Sequence, residues 1–170
     1  MAITRLSGAN AISGTLPAAN INNTSIGNVT ALPAGVGGKV LQVVKSVQSF
    51  GGEETTTSTS YTGTSTTATI TPSSTSSKIL ILATGNTRYT GTEDARFTIY
   101  RDSTDLATGL RGFAHNFQVQ GVSTTLSYLD VPSSTSALVY KVYFMVAVNG
   151  TATWNSYTST SSMTLFEIAG

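Results

Sequence analysis

The sequence predicts an all-β protein, an antiparallel, jelly-roll-like β-sandwich with an extended N-terminal arm. Charged residues make up only 10% of the chain, whereas Thr, Val, Ile and Tyr, which favour strands, are abundant. No stretch repeats apolar residues at the spacing of an amphipathic helix. Short alternating runs are instead separated by Gly, Ser, Asn or Pro, and this arrangement is typical of sandwiches and jelly rolls.

Residues 1–38 differ from the rest of the chain. They contain no aromatic residue and a single charge, Arg5, and their apolar residues are isolated in a background of small polar ones. Such a segment cannot bury its own apolar side chains, so it is either an arm that orders on a partner or a disordered tail. We favour the arm, and the side chains expected to anchor it are Ile12, Leu16, Ile21, Ile26, Val29 and Leu32.

Residues 39–170 are expected to form the sandwich. The predicted strands are 39–47, 55–61, 66–71, 78–84, 96–101, 113–119, 122–129, 137–148, 151–157 and 162–168. The polar strands 55–61 and 66–71 are expected at sheet edges, whereas 78–84 is apolar on both faces and is expected to be central. Asn149 and Gly150 predict a two-residue hairpin turn between the strands that flank them.

The predicted strand over 137–148 is apolar on both faces. Val142 and Phe144 share one face, and Tyr143 and Met145 share the other. A sandwich layer buries only one face, so the second face needs a cover. Tyr143 and Met145 are therefore predicted to lie in a subunit interface.

The sequence offers few residues for catalysis or metal binding. It contains no cysteine, its single histidine is His115, and no motif presents a nucleophilic serine. Because His115 lies among Phe113, Asn116 and Phe117, it is expected to be a packing or interface residue. Asp102 and Asp105 fall where a turn is expected, and Asp in a turn usually binds its own backbone. The sequence thus predicts no enzyme, no cofactor and no metal.

Charge and hydropathy also limit the partners. The net charge of +1 gives no electrostatic basis for binding nucleic acid or an anionic membrane. The longest unbroken apolar run, 142–148, is far shorter than the about 20 residues of a membrane helix. We therefore expect a soluble protein, made in the cytosol, that binds neither nucleic acid nor membrane.

Aromatic residues cluster around the predicted last hairpin. Trp154 and Tyr157 lie on one side, with Tyr140, Tyr143 and Phe144 across it. Such rings can stack on sugars, so Trp154 and Tyr157 are candidate glycan contacts. Aromatic residues of β-proteins more often belong to the core or to a subunit interface, so glycan binding is the alternative hypothesis.

Several segments resemble a β-rich module of bacteriophage tail-fibre and virion proteins, especially those of aquatic phages. The resemblance covers residues 37–170, and the segments that carry it are 37–44, 70–81, 100–102, 127–132, 140–142 and 164–168. Residues 16–20 are also similar to the Leu-Pro-rich starts of such fibre proteins.

The resemblance implies a non-enzymatic, homotrimeric sandwich whose arm binds a capsid, neck or tail protein. Because the chain has no shaft, it implies a short fibre or a head decoration (cement) protein. The alternative is a carbohydrate-binding adhesin of the particle that contacts a host-surface glycan.

Overall fold

The computed structural model describes residues 40–48 and 52–170. The arm predicted over residues 1–38 lies outside the described residues, as do its expected anchoring side chains Ile12, Leu16, Ile21, Ile26, Val29 and Leu32.

Eleven strands and one short 3-10 turn account for the regular structure, and the described residues contain no α-helix. The strands are β1 (Val40–Gln48), β2 (Glu54–Thr56), β3 (Thr62–Ile70), β4 (Lys78–Thr90), β5 (Ala95–Arg101), β6 (Thr104–Asp105), β7 (Ala114–Asn116), β8 (Val122–Asp130), β9 (Leu138–Val146), β10 (Thr151–Trp154) and β11 (Ser161–Ile168). The 3-10 turn spans Ser156–Thr158, between β10 and β11.

The first sheet has six strands in four positions. β10 and β11 follow one another along the same edge of the long strand β4. Beside them, β2 pairs with β10 and β1 pairs with β11. Since β8 pairs with the other edge of β4, the order across the sheet is β8, β4, β10 with β11, and finally β2 with β1.

The second sheet repeats this plan with five strands. Its order is β3, β9, β5, and the short strands β6 and β7 share the free edge of β5. Whenever the chain moves from one strand position to the next, it crosses to the other sheet. The step from β5 to its edge strands β6 and β7 is the exception, because it stays within the second sheet. Eight positions in two sheets with these crossings form a jelly roll, which confirms the predicted fold class.

Period-two alternation builds the core between the sheets. On β4, Ile79, Ile81 and Ala83 point inward and are fully buried. The ring of Phe97 lies 6.3 Å from that of Phe144 within the second sheet, and across the core it lies 5.8 Å from that of Trp154 in the first sheet. Apolar burial is the main favourable term in folding, so these side chains hold the two sheets together.

The predicted positions of the edge and central strands are confirmed. β2 and β3 are at sheet edges, and β4 is central in its sheet. Four of the predicted strands are shorter than expected, since the strands observed there are Glu54–Thr56, Ala114–Asn116, Leu138–Val146 and Thr151–Trp154. After β2, the hydroxyl of Ser58 accepts a bond from the Ser60 N–H and donates to its carbonyl, and such local bonds compete with a ladder.

The predicted hairpin at Asn149 and Gly150 is wrong. β9 belongs to the second sheet and β10 to the first, so this turn connects two sheets rather than two paired strands. Of the two turn residues, only Gly150 has a positive φ, 105°. A side chain there would collide with the carbonyl of Thr90, so the turn requires glycine for close backbone approach.

A buried carboxylate fixes one end of the first sheet. Glu167 on β11 is 1% exposed. Its Oε1 accepts the Ser73 N–H at 2.7 Å, the Ser73 hydroxyl at 2.6 Å and the Ser77 hydroxyl at 2.7 Å. Its Oε2 accepts the side-chain amide of Gln42 on β1 at 2.6 Å. Burial alone would raise the pKa of Glu167, but these hydrogen bonds outweigh burial and lower the pKa to about 2.

We predict that Glu167→Gln destabilises the fold by about 3 kcal/mol at neutral pH, because an uncharged amide cannot replace the carboxylate that accepts these hydrogen bonds. Because the folded-state pKa is lowered, this stability is present above the unfolded value of about 4.5 and is lost as pH falls toward 2. Denaturant unfolding between pH 2 and 7 measures the difference. Glu93→Gln, at an exposed position, is the control. Equal acid sensitivity of wild type and Glu167→Gln would contradict the assignment.

Candidate functional site on the outer sheet faces

The outer face of the first sheet carries a continuous row of apolar side chains. Strand register places one such residue at each of the four positions, and these residues pair directly across the sheet. We call them the apolar row: Val43 on β1, Phe166 on β11, Leu80 on β4 and Leu129 on β8. Val43 is 55% exposed and Leu129 46% exposed, while Phe166 and Leu80 between them are half-buried. The row is therefore open at both ends and on its surface.

The residues beside the row extend this face. Leu82 lies on one side of the row and Ile168 on the other, and both side chains are half-buried. Lys45 is paired with Thr164 two residues from the row, and Lys78 lies on the opposite flank. The charges of this part of the face are thus lysine side chains, whose long aliphatic stems can lie along apolar surface.

Residues 155–160, between β10 and β11, form an inserted segment that covers the other half of the outer face of the first sheet. The hydroxyl of Ser156 donates to Asn86 Oδ1, and Asn86 points outward from β4. Arg88, also outward, donates to Glu53 at 2.9 Å and lies 5.4 Å from the ring centroid of Tyr157. Glu53 in turn accepts the Tyr157 N–H at 2.9 Å. The inserted segment consequently limits the open apolar surface to the half that contains the apolar row.

Tyrosines cover much of the outer face of the second sheet. The ring of Tyr100 stacks on Tyr143 at 4.1 Å and lies edge-on to Tyr61 at 6.2 Å. Burial, to which the charge of Asp105 adds, raises the pKa of Tyr61 to about 12. Tyr143 and Met145 share the outward face, as predicted, and both are half-buried within the chain itself. The predicted subunit contact thus lies on a face that the chain partly covers by its own side chains.

The two predicted glycan contacts lie in different environments. Trp154 is fully buried, and its Nε1–H donates to the Thr66 hydroxyl at 2.8 Å. Thr66 and Ser161 share a further hydrogen bond of 2.6 Å in the core. Trp154 therefore presents no ring face to a surface ligand, which corrects its assignment as a contact. Tyr157, in contrast, is 55% exposed.

Tyr157 is held in an unusual backbone conformation. Its φ and ψ are 55° and 43°, and those of Asn155 are 60° and 40°, so both residues are left-handed. This conformation costs free energy for a residue other than glycine and persists where the surroundings enforce it. The contacts of Tyr157 with Arg88 and Glu53, described above, supply that enforcement. The exposed ring is thus fixed rather than free on the surface.

The other polar candidates form no catalytic arrangement within the described residues. His115 is exposed on β7, with its ring 5.0 Å from that of Phe117. Asp105 accepts the Ala107 N–H at 3.0 Å and the Thr98 hydroxyl at 2.6 Å, as expected for an aspartate in a turn. Among the described residues, no three His, Asp or Glu side chains lie close enough to hold a metal ion.

Sequence analysis missed the apolar row and one buried ion pair. Arg101 donates to both oxygens of Asp130, at 2.8 and 2.7 Å, and the Tyr140 hydroxyl donates to the same carboxylate at 2.7 Å. Burial raises the pKa of Tyr140, and the bond to Asp130 raises it further. This cluster fastens β8 to the second sheet and has no open position for a ligand. The sequence signal for the row is the apolar character of both faces of β4, which predicts a central strand but does not show which residues lie beside it.

Comparison with protein-family models and with curated proteins gives no match to this chain. In the part of the chain that the structure describes, no helix is long and apolar enough to cross a membrane.

The burial of Trp154 generates a prediction at Gly85. A side chain at position 85 would overlap the Trp154 ring, so Gly85→Ala must displace a fully buried aromatic side chain. Overpacking of this kind costs about 1–3 kcal/mol. Gly109→Ala is the matched control, because nothing lies within 4 Å of the position its methyl group would take. Chemical denaturation of both variants tests this, and an unchanged midpoint for Gly85→Ala would show that the ring is not held against β4.

Proposed function

We propose that this protein is a structural component of a bacteriophage particle, a short trimeric fibre or a capsid decoration protein that is anchored through its N-terminal arm. The observation that carries the proposal is the apolar row on a compact jelly roll. A contiguous exposed apolar strip on a folded domain is typical of a surface that binds another protein. The resemblance of residues 37–170 to phage virion modules supplies the biological setting.

The described titratable groups support a structural rather than an enzymatic role. Asp94 contacts Arg96 at 3.0 Å and Arg111 at 3.3 Å, and Asp130 is bound by Arg101. Glu167 accepts bonds from a turn and a neighbouring strand. Each of these carboxylates stabilises the fold, and none lies beside a nucleophile and a base in the arrangement that catalysis needs.

The proposal also defines location and partners. The protein would be made in the host cytoplasm and incorporated in the particle, where the arm binds a capsid, neck or tail protein. The arm's isolated apolar residues suit this role, because each fully covered side chain contributes about 1.5–3 kcal/mol. Arms from several subunits would then act together, so that attachment gains from avidity.

We predict that deletion of residues 2–36 leaves a folded, β-rich assembly that no longer joins the particle. The strands of the jelly roll are built from residues 40–48 and 52–170, so circular dichroism and thermal unfolding should stay close to wild type. The protein composition of purified particles measures incorporation. The control replaces only Arg5 by Ala, which keeps every apolar residue of the arm. If particles carry the truncated chain at wild-type copy number, the arm is not the anchor.

A second candidate function, binding of a host-surface glycan, is favoured by Tyr157 alone. Its ring is exposed and fixed, and the neighbouring ion pair of Arg88 and Glu53 offers both donors and acceptors to sugar hydroxyls. Stacking on a sugar face needs such a rigid aromatic platform.

We predict that, if the protein binds a glycan, Tyr157→Ala weakens the binding about tenfold, equivalent to about 1.4 kcal/mol. A glycan array with the wild-type protein identifies the sugar, and titration with that sugar compares the variants. Phe117→Ala removes an aromatic ring of similar exposure, 52%, and serves as the control. Absence of any array signal, or equal loss in both variants, would reject this second function.

A further inference from the structure

We infer that the outer face of the first sheet is the surface through which copies of this chain bind each other. The inference goes beyond the proposed function, because packing the same face of two copies together pairs them about a two-fold axis and is a contact separate from the threefold contact of a trimer. It is carried by the shape, the size and the charges of the face that contains the apolar row.

The shape of the face suits another sheet. The apolar row crosses all four strand positions without a break, and Leu82 and Ile168 extend the face along the strands, so a single extended peptide would cover only part of the face. Ligand sites for small molecules are concave, whereas this surface is the outer side of a sheet. Two sheets pack face to face at about 10 Å when apolar side chains interdigitate, and the row provides such side chains.

The size of the face is at the lower end of the range for a subunit contact. The four strand positions span about 19 Å across the sheet. Along the strands, the outward residues run from Val47 past Val43 and the rest of the row to Ile168, over a length of about 20–25 Å. The projected area is on the order of 400–500 Å², and the accessible area of side chains on it is larger. A standard interface buries about 800 Å² on each partner.

The charges of the face permit self-association. Lys45 and Lys78 lie on opposite flanks of the apolar row and on different strands. When a second copy is turned by 180° about the line of the row, Lys45 lies opposite Leu41 on β1 of the second copy. In the same arrangement, Lys78 lies opposite Leu82 of the second copy. The lysines then meet apolar side chains rather than each other. A net charge of +1 adds little repulsion between whole subunits.

The other outer face is the alternative subunit contact. There, Tyr143 is stacked on Tyr100 of its own chain, so less of its surface is left for a partner. Val43 and Leu129, in contrast, keep about half of their surface exposed. The first sheet thus has the larger unmet requirement for cover.

The test compares the association of the full chain with that of single variants by sedimentation velocity from about 1 to 100 µM. We expect the wild-type chain to associate, and we expect Leu129→Glu and Val43→Glu to raise the dissociation constant at least about tenfold, because a charge would be buried in an apolar contact. Val139→Glu is the control, since Val139 is 38% exposed on the outer face of the second sheet. Circular dichroism verifies folding, and Leu129→Ser replaces any glutamate variant that fails to fold.

Three results would overturn the inference. One is a wild-type chain that stays monomeric at 100 µM, and another is wild-type association of folded Leu129→Glu and Leu129→Ser. The third is dissociation by Tyr143→Asp with no effect of the Leu129 variants, which would place the contact on the second sheet. Failure of the proposed function is a separate result, because particle incorporation of the arm-deleted chain is measured independently of self-association.

Discussion

The buried carboxylate of Glu167 fixes the register on which the rest of the first sheet depends. Side chains alternate between faces along a strand, so a slip by one residue would turn Phe166 inward and Glu167 outward. Glu167 prevents this, because its oxygens are bound by Gln42 on β1 and by the Ser73 and Ser77 side chains of the turn that leads into β4. One side chain thereby ties together β1, β11 and the start of β4. The same register places Val43, Phe166 and Leu80 side by side on the outer face.

A charge in this position is costly unless every oxygen is bound. Burial of a carboxylate without partners would carry a penalty of several kcal/mol, and the hydrogen bonds from the serine turn remove it. The turn itself is a run of small polar residues without apolar side chains of its own to bury. Sheet and turn therefore depend on each other: the turn satisfies the charge, and the charge holds the turn against the end of the sandwich.

The sequence predicted the jelly roll well, because the two features that define it are local. Alternation of apolar and polar residues predicts strands, and the apolar faces of Ile79–Leu82 predict a central strand whatever lies beside it. Strand ends were less predictable. Gly85 and Asn86 resemble a turn, yet β4 continues to Thr90, since Gly85 leaves space for the ring of Trp154 from β10. That requirement comes from a residue far along the chain and has no local signal.

The candidate surfaces were predictable only in part, for the same reason. The outward direction of Tyr143 and Met145 followed from alternation within one strand. The apolar row did not, because its members come from four positions that the topology brings together, and Val43 and Leu129 are each unremarkable alone. The location of Trp154 in the core also depends on topology: β9 and β10 belong to different sheets, so the connection at Gly150 directs Trp154 between the sheets instead of along a hairpin surface.

The two outer faces of the sandwich differ in how much of their surface the chain itself covers. On the second sheet, Tyr61, Tyr100 and Tyr143 cover the outward side with rings from the same chain. On the first sheet, the inserted segment after Trp154 covers one half, with Ser156 bound to Asn86 and Tyr157 held beside Arg88. Among the described residues, no such segment covers the other half, although its outward side chains are the more apolar ones. Since the inner faces already form the core, the exposed part of this apolar row adds little to the stability of a single subunit. Its burial can lower the free energy only when another surface covers it, and for that reason we assign the row to assembly rather than to folding.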